Sequence, residues 1–344
     1  MRSRQTFSRA ALQTGLMAAL CAIAAGFVIS AQAPVLHLVS TAWPPFTNEQ
    51  GKARFALDLV EAAFGRIGIS STTAIVSAPE FTSSLLSGRF DGSAAAWKDP
   101  ERERALLFSQ PYLENRLILV GRRGSDVSAT TLASLSGKRI AIVDGYSYGD
   151  AVDSASPAFV RTPTEEESLT QLLNGAVDYT LMDELVVRYI TNNYPEEAQS
   201  TLQFGVTPLV TRPLFLAIRK DLPGVESIVE RFNAQIRGMI ADRTYHRLLH
   251  VEWILADVDG DGVAEYVAGG DRVGTVEPQG AYSIATSTIT ATETVNRPPQ
   301  PTPRRFYVGG NLYSDWASVP RPFKIESSGW SPGRSTASIF TFKW

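Results

Sequence analysis

Arg116-Leu117-Ile118-Leu119-Val120 and Leu214-Phe215-Leu216-Ala217-Ile218 are two apolar runs of strand length, set far apart in the chain. They flank a block, 125–208, that carries its own alternation of strands and helices. Inside the block, 138–143 reads as a buried strand. Thr164-Glu165-Glu166-Glu167 reads as a capping box opening a helix that runs to Asn174, and 177–182 as a strand feeding a helix over 183–192. On the N-terminal side, 35–39, 72–76 and 91–96 read as strands. Helices are expected over 57–67, stopped by Gly68, and over 81–87, stopped by Gly88. On the C-terminal side, 225–238 and 242–250 read as helices. Short strands separated by helices place the chain in the α/β class with parallel sheets. The two apolar runs predict a chain that leaves one lobe, builds a second and returns. Lobe 1 is then 34–122 with 210–256, lobe 2 is 123–209, and a two-strand hinge joins them above a cleft.

The ends of the 344-residue chain differ from this middle. Residues 1–31 carry only Arg2, Arg4 and Arg9 as charges, then an apolar run from Leu16 to Ala31 ending in small residues. That is the pattern of a secretory signal, with cleavage expected after Ala31 and the mature protein in the periplasm. The run is shorter than the roughly 20 residues of a membrane-spanning helix. Cys21 is the single cysteine and lies in this segment, so a mature chain would have no disulfide and no thiol nucleophile. Loss of the three arginines takes the formal net charge from −3 to −6, which attracts neither nucleic acid nor an anionic membrane. Residues 257–266 form an acidic, glycine-bearing loop. Residues 267–344 are a Ser/Thr/Pro-rich and aromatic tail of unassigned fold, with a proline-rich linker over 298–303. Nine aromatics stand among the last 40 residues, a segment too short for an independent core.

Three groups of residues, in order, carry a resemblance. Trp43-Pro44-Pro45-Phe46 is followed by Asp58-Leu59. Asp99-Pro100-Glu101-Arg102 leads to Phe108-Ser109-Gln110-Pro111-Tyr112. Leu135-Ser136-Gly137-Lys138-Arg139 leads through Gly145-Tyr146-Ser147 and Leu172-Leu173-Asn174-Gly175 to 178–183. Together they resemble the polar amino-acid-binding family of periplasmic solute-binding proteins, family 3, over about residues 35–255. The resemblance implies a type II periplasmic binding protein fold with a C-terminal extension. It implies a monomer that closes on a small zwitterionic solute, does no chemistry on it, and delivers it to an ABC permease.

The same resemblance assigns roles residue by residue. Arg102 stands where the family places the arginine under the ligand carboxylate, and its planar fork suits that group. Taken alone, among Glu101, Glu103 and Arg104, it reads as a solvated helix start. Asp183 stands where the family holds the ligand ammonium. Its position between a strand and a helix also suits a plain N-cap. Ser147 is the lobe 2 hydroxyl expected on the carboxylate, with the alternative of a helix cap. Trp43, kept extended by the proline after it, is the expected aromatic wall. Tyr146 is expected beside the ligand. The sequence departs from the family where small hydroxyl residues are common, at Ala95 and Trp97, and at Ala56, where an acid is common.

Two further patterns were weighed. Asp257, Asp259, Asp261 and Glu265 fall at positions 1, 3, 5 and 9 of a tight loop, a spacing that suits a structural Ca²⁺; no other cofactor is expected. His246 and His250 are four apart, but Arg247 replaces the glutamate of a zinc protease, so surface or packing histidines are expected. Two rival functions share the fold. One is a cyclohexadienyl-dehydratase-like enzyme using Glu114 or Tyr146. The other is a sensory binding protein of the cell envelope that docks through its tail.

Overall fold

The computed structural model describes residues 35–155, 157–278, 281–284 and 304–325. The expected signal segment 1–31, the proline-rich run 298–303 and the aromatics from Trp330 onward lie outside them. Among the described residues no helix is long and apolar enough to cross a membrane.

Lobe 1 starts with β1 (Val35–Thr41), helix α1 (Phe55–Arg66), β2 (Ser70–Val76), helix α2 (Ala78–Leu86) and β3 (Gly92–Ala96). Helix α1 buries Leu57, Val60, Ala63 and Phe64, the periodic face of the sequence, and Gly68 follows it at φ 71°. Strands β1 and β2 pair in parallel along their full length. Helix α3 (Pro100–Ala105) and β4 (Leu106–Phe108) complete this part before β5 (Leu113–Arg122) leaves the lobe.

Lobe 2 contains β6 (Arg139–Val143), β7 (Ala158–Thr162), helix α4 (Glu165–Leu173), β8 (Tyr179–Asp183) and helix α5 (Glu184–Asn193). The returning strand, β9 (Leu202–Arg219), is 18 residues long. Its first part pairs antiparallel with β5, from Arg122↔Leu202 to Leu113↔Leu214, and its last part pairs with β3 and β4. The sheet order is β2-β1-β3-β9-β5-β8-β6-β7, with β4 also on β9. Strand β9 joins the two halves of this sheet, pairing with β3 and β4 of one and with β5, which in turn pairs with β8, of the other. The register slips near Pro208, a residue with no N–H to give the ladder. At the lobe 1 end, a Cβ on Gly92 would stand 2.0 Å from the Ala217 carbonyl oxygen, so β3 meets β9 only through glycine there. Helices α6 (Val225–Ala241) and α7 (Thr244–Leu249) then cover lobe 1, with Phe232 against Phe64 and Tyr112.

The described residues of the extension carry strands, where the sequence left the fold of the tail unassigned. Strands β10 (Trp253–Ala256), β11 (Glu265–Ala268), β12 (Tyr282–Ser283), β13 (Phe306–Val308) and β14 (Asn311–Tyr313) form a second sheet in the order β12-β10-β11-β13-β14. Strand β10 lies inside the range the sequence reading gave to lobe 1, and it belongs to this sheet. Phe306 is fully buried among Trp253, Tyr266 and Trp316, at ring separations of 6.2, 5.3 and 5.2 Å. The core is built by two segments distant in sequence, 253–268 and 306–323, so neither alone reveals it. His246 packs beneath β11, its Nε2 3.1 Å from the Val267 carbonyl oxygen, as a packing histidine does.

Replacing Phe306 by Ala removes the central ring of this small core. It should cost about 3–5 kcal/mol of stability locally. Hydrogen exchange should then accelerate across 253–268 and 306–323 while the amides of β1 and β6 stay protected; uniform protection in the variant would contradict a separate core.

Candidate functional site

Where β3 ends, Trp97-Lys98-Asp99 turns the chain into α3, and Asp99 caps that helix by accepting the Arg102 N–H at 2.9 Å. One turn of helix then carries Arg102 inward, with only 2% of its side chain exposed. Nη1 donates to the Trp97 carbonyl at 2.9 Å, Nη2 to Thr82 Oγ1 at 2.7 Å, and the guanidinium lies 5.2 Å from the Phe81 ring. Nε sits 3.2 Å from Asp99 Oδ2 without the alignment of a hydrogen bond. Burial pulls the guanidinium pKa down, and Asp99 and Glu101 oppose that. The group is not part of a solvated helix start.

Lobe 2 brings the loop from Gly145 to Gly149 against this wall. Gly145 takes φ 75°, and a Cβ there would come within 2.6 Å of the Ala78 carbonyl of lobe 1. Ser147 Oγ donates to Asp99 Oδ2 at 2.6 Å, and the Tyr146 hydroxyl lies 3.2 Å from Thr41 Oγ1. Trp43 Nε1 donates to Glu165 Oε1 at 2.9 Å, a third bond from lobe to lobe. Edge-to-face rings fill the space between: Trp43, Trp97 and Tyr146 stand 5.5–5.7 Å apart pairwise, and Tyr148 is 5.3 Å from Trp97. Trp97 is fixed by its own bond to Asn115 Oδ1, at 2.8 Å.

Between these groups lies a small pocket, part of it open to solvent. Arg102, Ser147, Trp43, Trp97, Ala95 and Tyr146 all line it, with Thr41, Phe81 and Leu214. Asp183 does not. Strand β8 runs beside β5, with Leu117 opposite Asp183, so the carboxylate is drawn to the hinge backbone. Its Oδ2 accepts from the Arg116 N–H at 2.9 Å and Asn115 Nδ2 at 3.2 Å, and its Oδ1 from the Leu185 N–H at 2.7 Å. The geometry is that of the N-cap, completely buried, with three N–H donors on the carboxylate. Burial pushes this carboxyl up to about 7.

Behind the pocket wall stands another acid, Glu165, at the first position of α4 and bonded to a wall residue, Trp43. In the sequence it reads only as one of three glutamates in a capping box; nothing there distinguishes it from Glu166 or Glu167. Burial raises its carboxyl to about 8, Trp43 lowers it, and the charges of Asp183 and Glu166 raise it further.

Two other expected sites fall elsewhere. Glu114, a proposed acid–base residue, is bonded through its side chain to Ser283, and its carbonyl accepts from the Tyr282 hydroxyl at 2.9 Å. It therefore faces the extension and not the pocket. In the acidic loop, Asp257, Asp259 and Glu265 bring oxygens within 4.8 Å of one another. The Arg305 guanidinium reaches into the same cluster. It pairs with Asp261 at 2.9 Å, Asp259 at 3.5 Å, and Glu265. An arginine from β13's approach, far along the chain, was not foreseen as the loop's counter-charge.

Comparison with known proteins places these observations. The model of the bacterial extracellular solute-binding proteins, family 3, matches residues 37–255. The "Putative ABC transporter arginine-binding protein 2" of Escherichia coli K12 is 24% identical over 237 residues, covering 67% of this chain and 95% of the relative. "ABC transporter arginine-binding protein 1" of the same organism matches to the same extent. Among solved structures, an ancestral arginine-binding protein bound to arginine superposes with a TM-score of 0.53 at 23% identity, over 64% of this chain and 98% of that one. The GluR0 ligand-binding core from Nostoc punctiforme, in complex with L-glutamate, gives 0.52 at 21%, over 62% and 96%. These likenesses show the type II periplasmic binding fold, and the family model ends at residue 255, before the acidic loop.

The two raised carboxyls set the pH dependence. Folded Glu165 keeps its proton to about pH 8 and Asp183 to about pH 7, whereas the unfolded chain releases both near pH 4. The folded state binds the extra protons in that window, so stability falls as pH rises from about 5 to about 8. Urea midpoints at pH 5, 6.5 and 8 should show this decline, shallower in Glu165→Gln. Parallel slopes in the two proteins would contradict a protonated Glu165.

Proposed function

The chain belongs to the bacterial extracellular solute-binding proteins, family 3, and from that premise we propose that it captures an amino acid between its lobes in the periplasm and delivers it to an ABC permease, as a monomer and without chemistry. The export step is assigned to residues 1–31. One observation carries the reading: the guanidinium of Arg102 in lobe 1 and the hydroxyl of Ser147 in lobe 2 line the same pocket. A carboxylate held by both stabilises the closed arrangement, because only that arrangement offers both partners. The ligand ammonium is assigned to Glu165 in place of Asp183, whose carboxylate is turned to the hinge backbone by three N–H donors. A cation arriving beside Glu165 favours its ionised form, and the aromatic faces of Trp43 and Tyr146 add to the attraction. Their close packing favours a compact or flat ligand side chain. Of the two residues a dehydratase-like enzyme could use, Glu114 lies under the extension and Tyr146 lines the pocket.

For the acidic loop we propose a Ca²⁺ held by Asp257, Asp259, Asp261 and Glu265, competing with the Arg305 guanidinium for the same oxygens. Millimolar CaCl₂ should raise the melting temperature and EDTA should reverse it; an unchanged melting temperature would leave Arg305 as the loop's cation.

Calorimetry against the twenty amino acids, with L-arginine and L-glutamine first, tests the main reading. Loss of one member of a buried charged pair costs about 3–5 kcal/mol, so Arg102→Ala should weaken binding roughly a hundredfold or more. Arg102→Lys, which keeps a buried cation but not the fork, should also weaken it. Equal affinity in wild type and Arg102→Lys would remove the fork from recognition.

A further inference from the structure

The place assigned above to the ligand carboxylate already holds a carboxylate of the chain. A single oxygen, Asp99 Oδ2, accepts from Ser147 Oγ of lobe 2 at 2.6 Å and stands 3.2 Å from Arg102 Nε of lobe 1. Those are the two groups a bound carboxylate is read to bridge. The other oxygen, Oδ1, accepts the Arg102 N–H and caps α3, so it anchors the side chain while Oδ2 faces the opposite lobe. The guanidinium beside it is buried and retains a donor, Nε, with no hydrogen bond. Around this point the lobes are drawn together by the Trp43–Glu165 and Thr41–Tyr146 bonds. Every one of these contacts is made by the protein with itself.

We infer that Asp99 is the specificity-determining residue of the pocket: an internal carboxylate that occupies the anion subsite and joins the lobes until a solute displaces it. The inference rests on the reading of the preceding section. An incoming carboxylate must break the Ser147–Asp99 bond and then lie near the displaced anion, which weakens its hold on Arg102. A plain monocarboxylate has nothing further to offer. A zwitterion recovers the loss through its ammonium at Glu165, so the device selects against simple acids.

Asp99→Asn keeps the cap and removes the charge; Ser147→Ala breaks the bond from the other lobe. Spin labels at Gln50→Cys and Thr170→Cys, both exposed and one on each lobe, report lobe separation by pulsed dipolar spectroscopy in a Cys21→Ser background. Without ligand, both variants should show a longer distance than the parent protein. Distance distributions that superimpose on the parent's would overturn the inference. By calorimetry, Asp99→Asn should bind L-arginine or L-glutamine at least tenfold more tightly and should gain measurable affinity for acetate. Affinities within twofold of the parent for all three would also overturn it. If the lobes separate in the variants and acetate affinity appears, yet no amino acid binds parent or variant, the amino-acid reading falls and the role of Asp99 stands.

Discussion

Everything in this molecule hangs from the antiparallel pairing of β5 with β9. Strand β9 pairs with strands of both halves of the large sheet, and its ladder with β5 runs from Leu113 and Leu214 at the lobe 1 end to Arg122 and Leu202 at the lobe 2 end. Because the two lobes share only this ribbon, a rotation between them is absorbed by a few residues. The register slips near Pro208, and Pro213 sits opposite Glu114, so the ribbon is less regularly bonded than an ordinary strand pair. The cleft is a consequence: strand ends and helix starts of two separate α/β units face each other across a shared edge.

The cleft is governed by a balance of few charges in a poorly hydrated space. Arg102 is buried, so its positive charge has to meet fixed partners; it finds two oxygens and the face of Phe81. Asp99 stands nearby with an oxygen shared between the lobes. On the opposite side Glu165 remains protonated at neutral pH for want of a cation, bonded to an indole N–H. The aromatic rings between them exclude water and strengthen every polar contact. A zwitterionic guest is the ligand class that supplies the missing cation and replaces the internal anion in one step.

The extension adds a constraint that the family portion lacks. Tyr282 is buried and donates to the Glu114 carbonyl on β5, and Ser283 bonds the Glu114 side chain. The second sheet is therefore fastened to the hinge itself, close to where Asp183 bonds the same strand through the Arg116 N–H. Its aromatics are largely spent on its own core, around Phe306, which leaves few of the described ones to dock elsewhere.

How far the sequence could be read follows from the range of the interactions involved. Period and punctuation are local, so the helix of Leu57 to Phe64, the stop at Gly68 and the two apolar runs of the hinge were legible, as was the lining role of Arg102, Ser147, Trp43, Trp97, Ala95 and Tyr146 once the family motifs were joined. What the sequence alone could not decide was direction and partnership. Asp183 at a strand end satisfies a cap and a ligand site equally well on paper, and only the neighbouring β5 backbone turns its carboxylate to the hinge. Glu165 is one of three adjacent glutamates until Trp43 of the other lobe selects it. The extension's core and the Arg305 counter-charge join segments far apart in the chain. Sequence fixes what each residue can offer; which offer is taken depends on non-local neighbours, and those exist only once the sheets have formed.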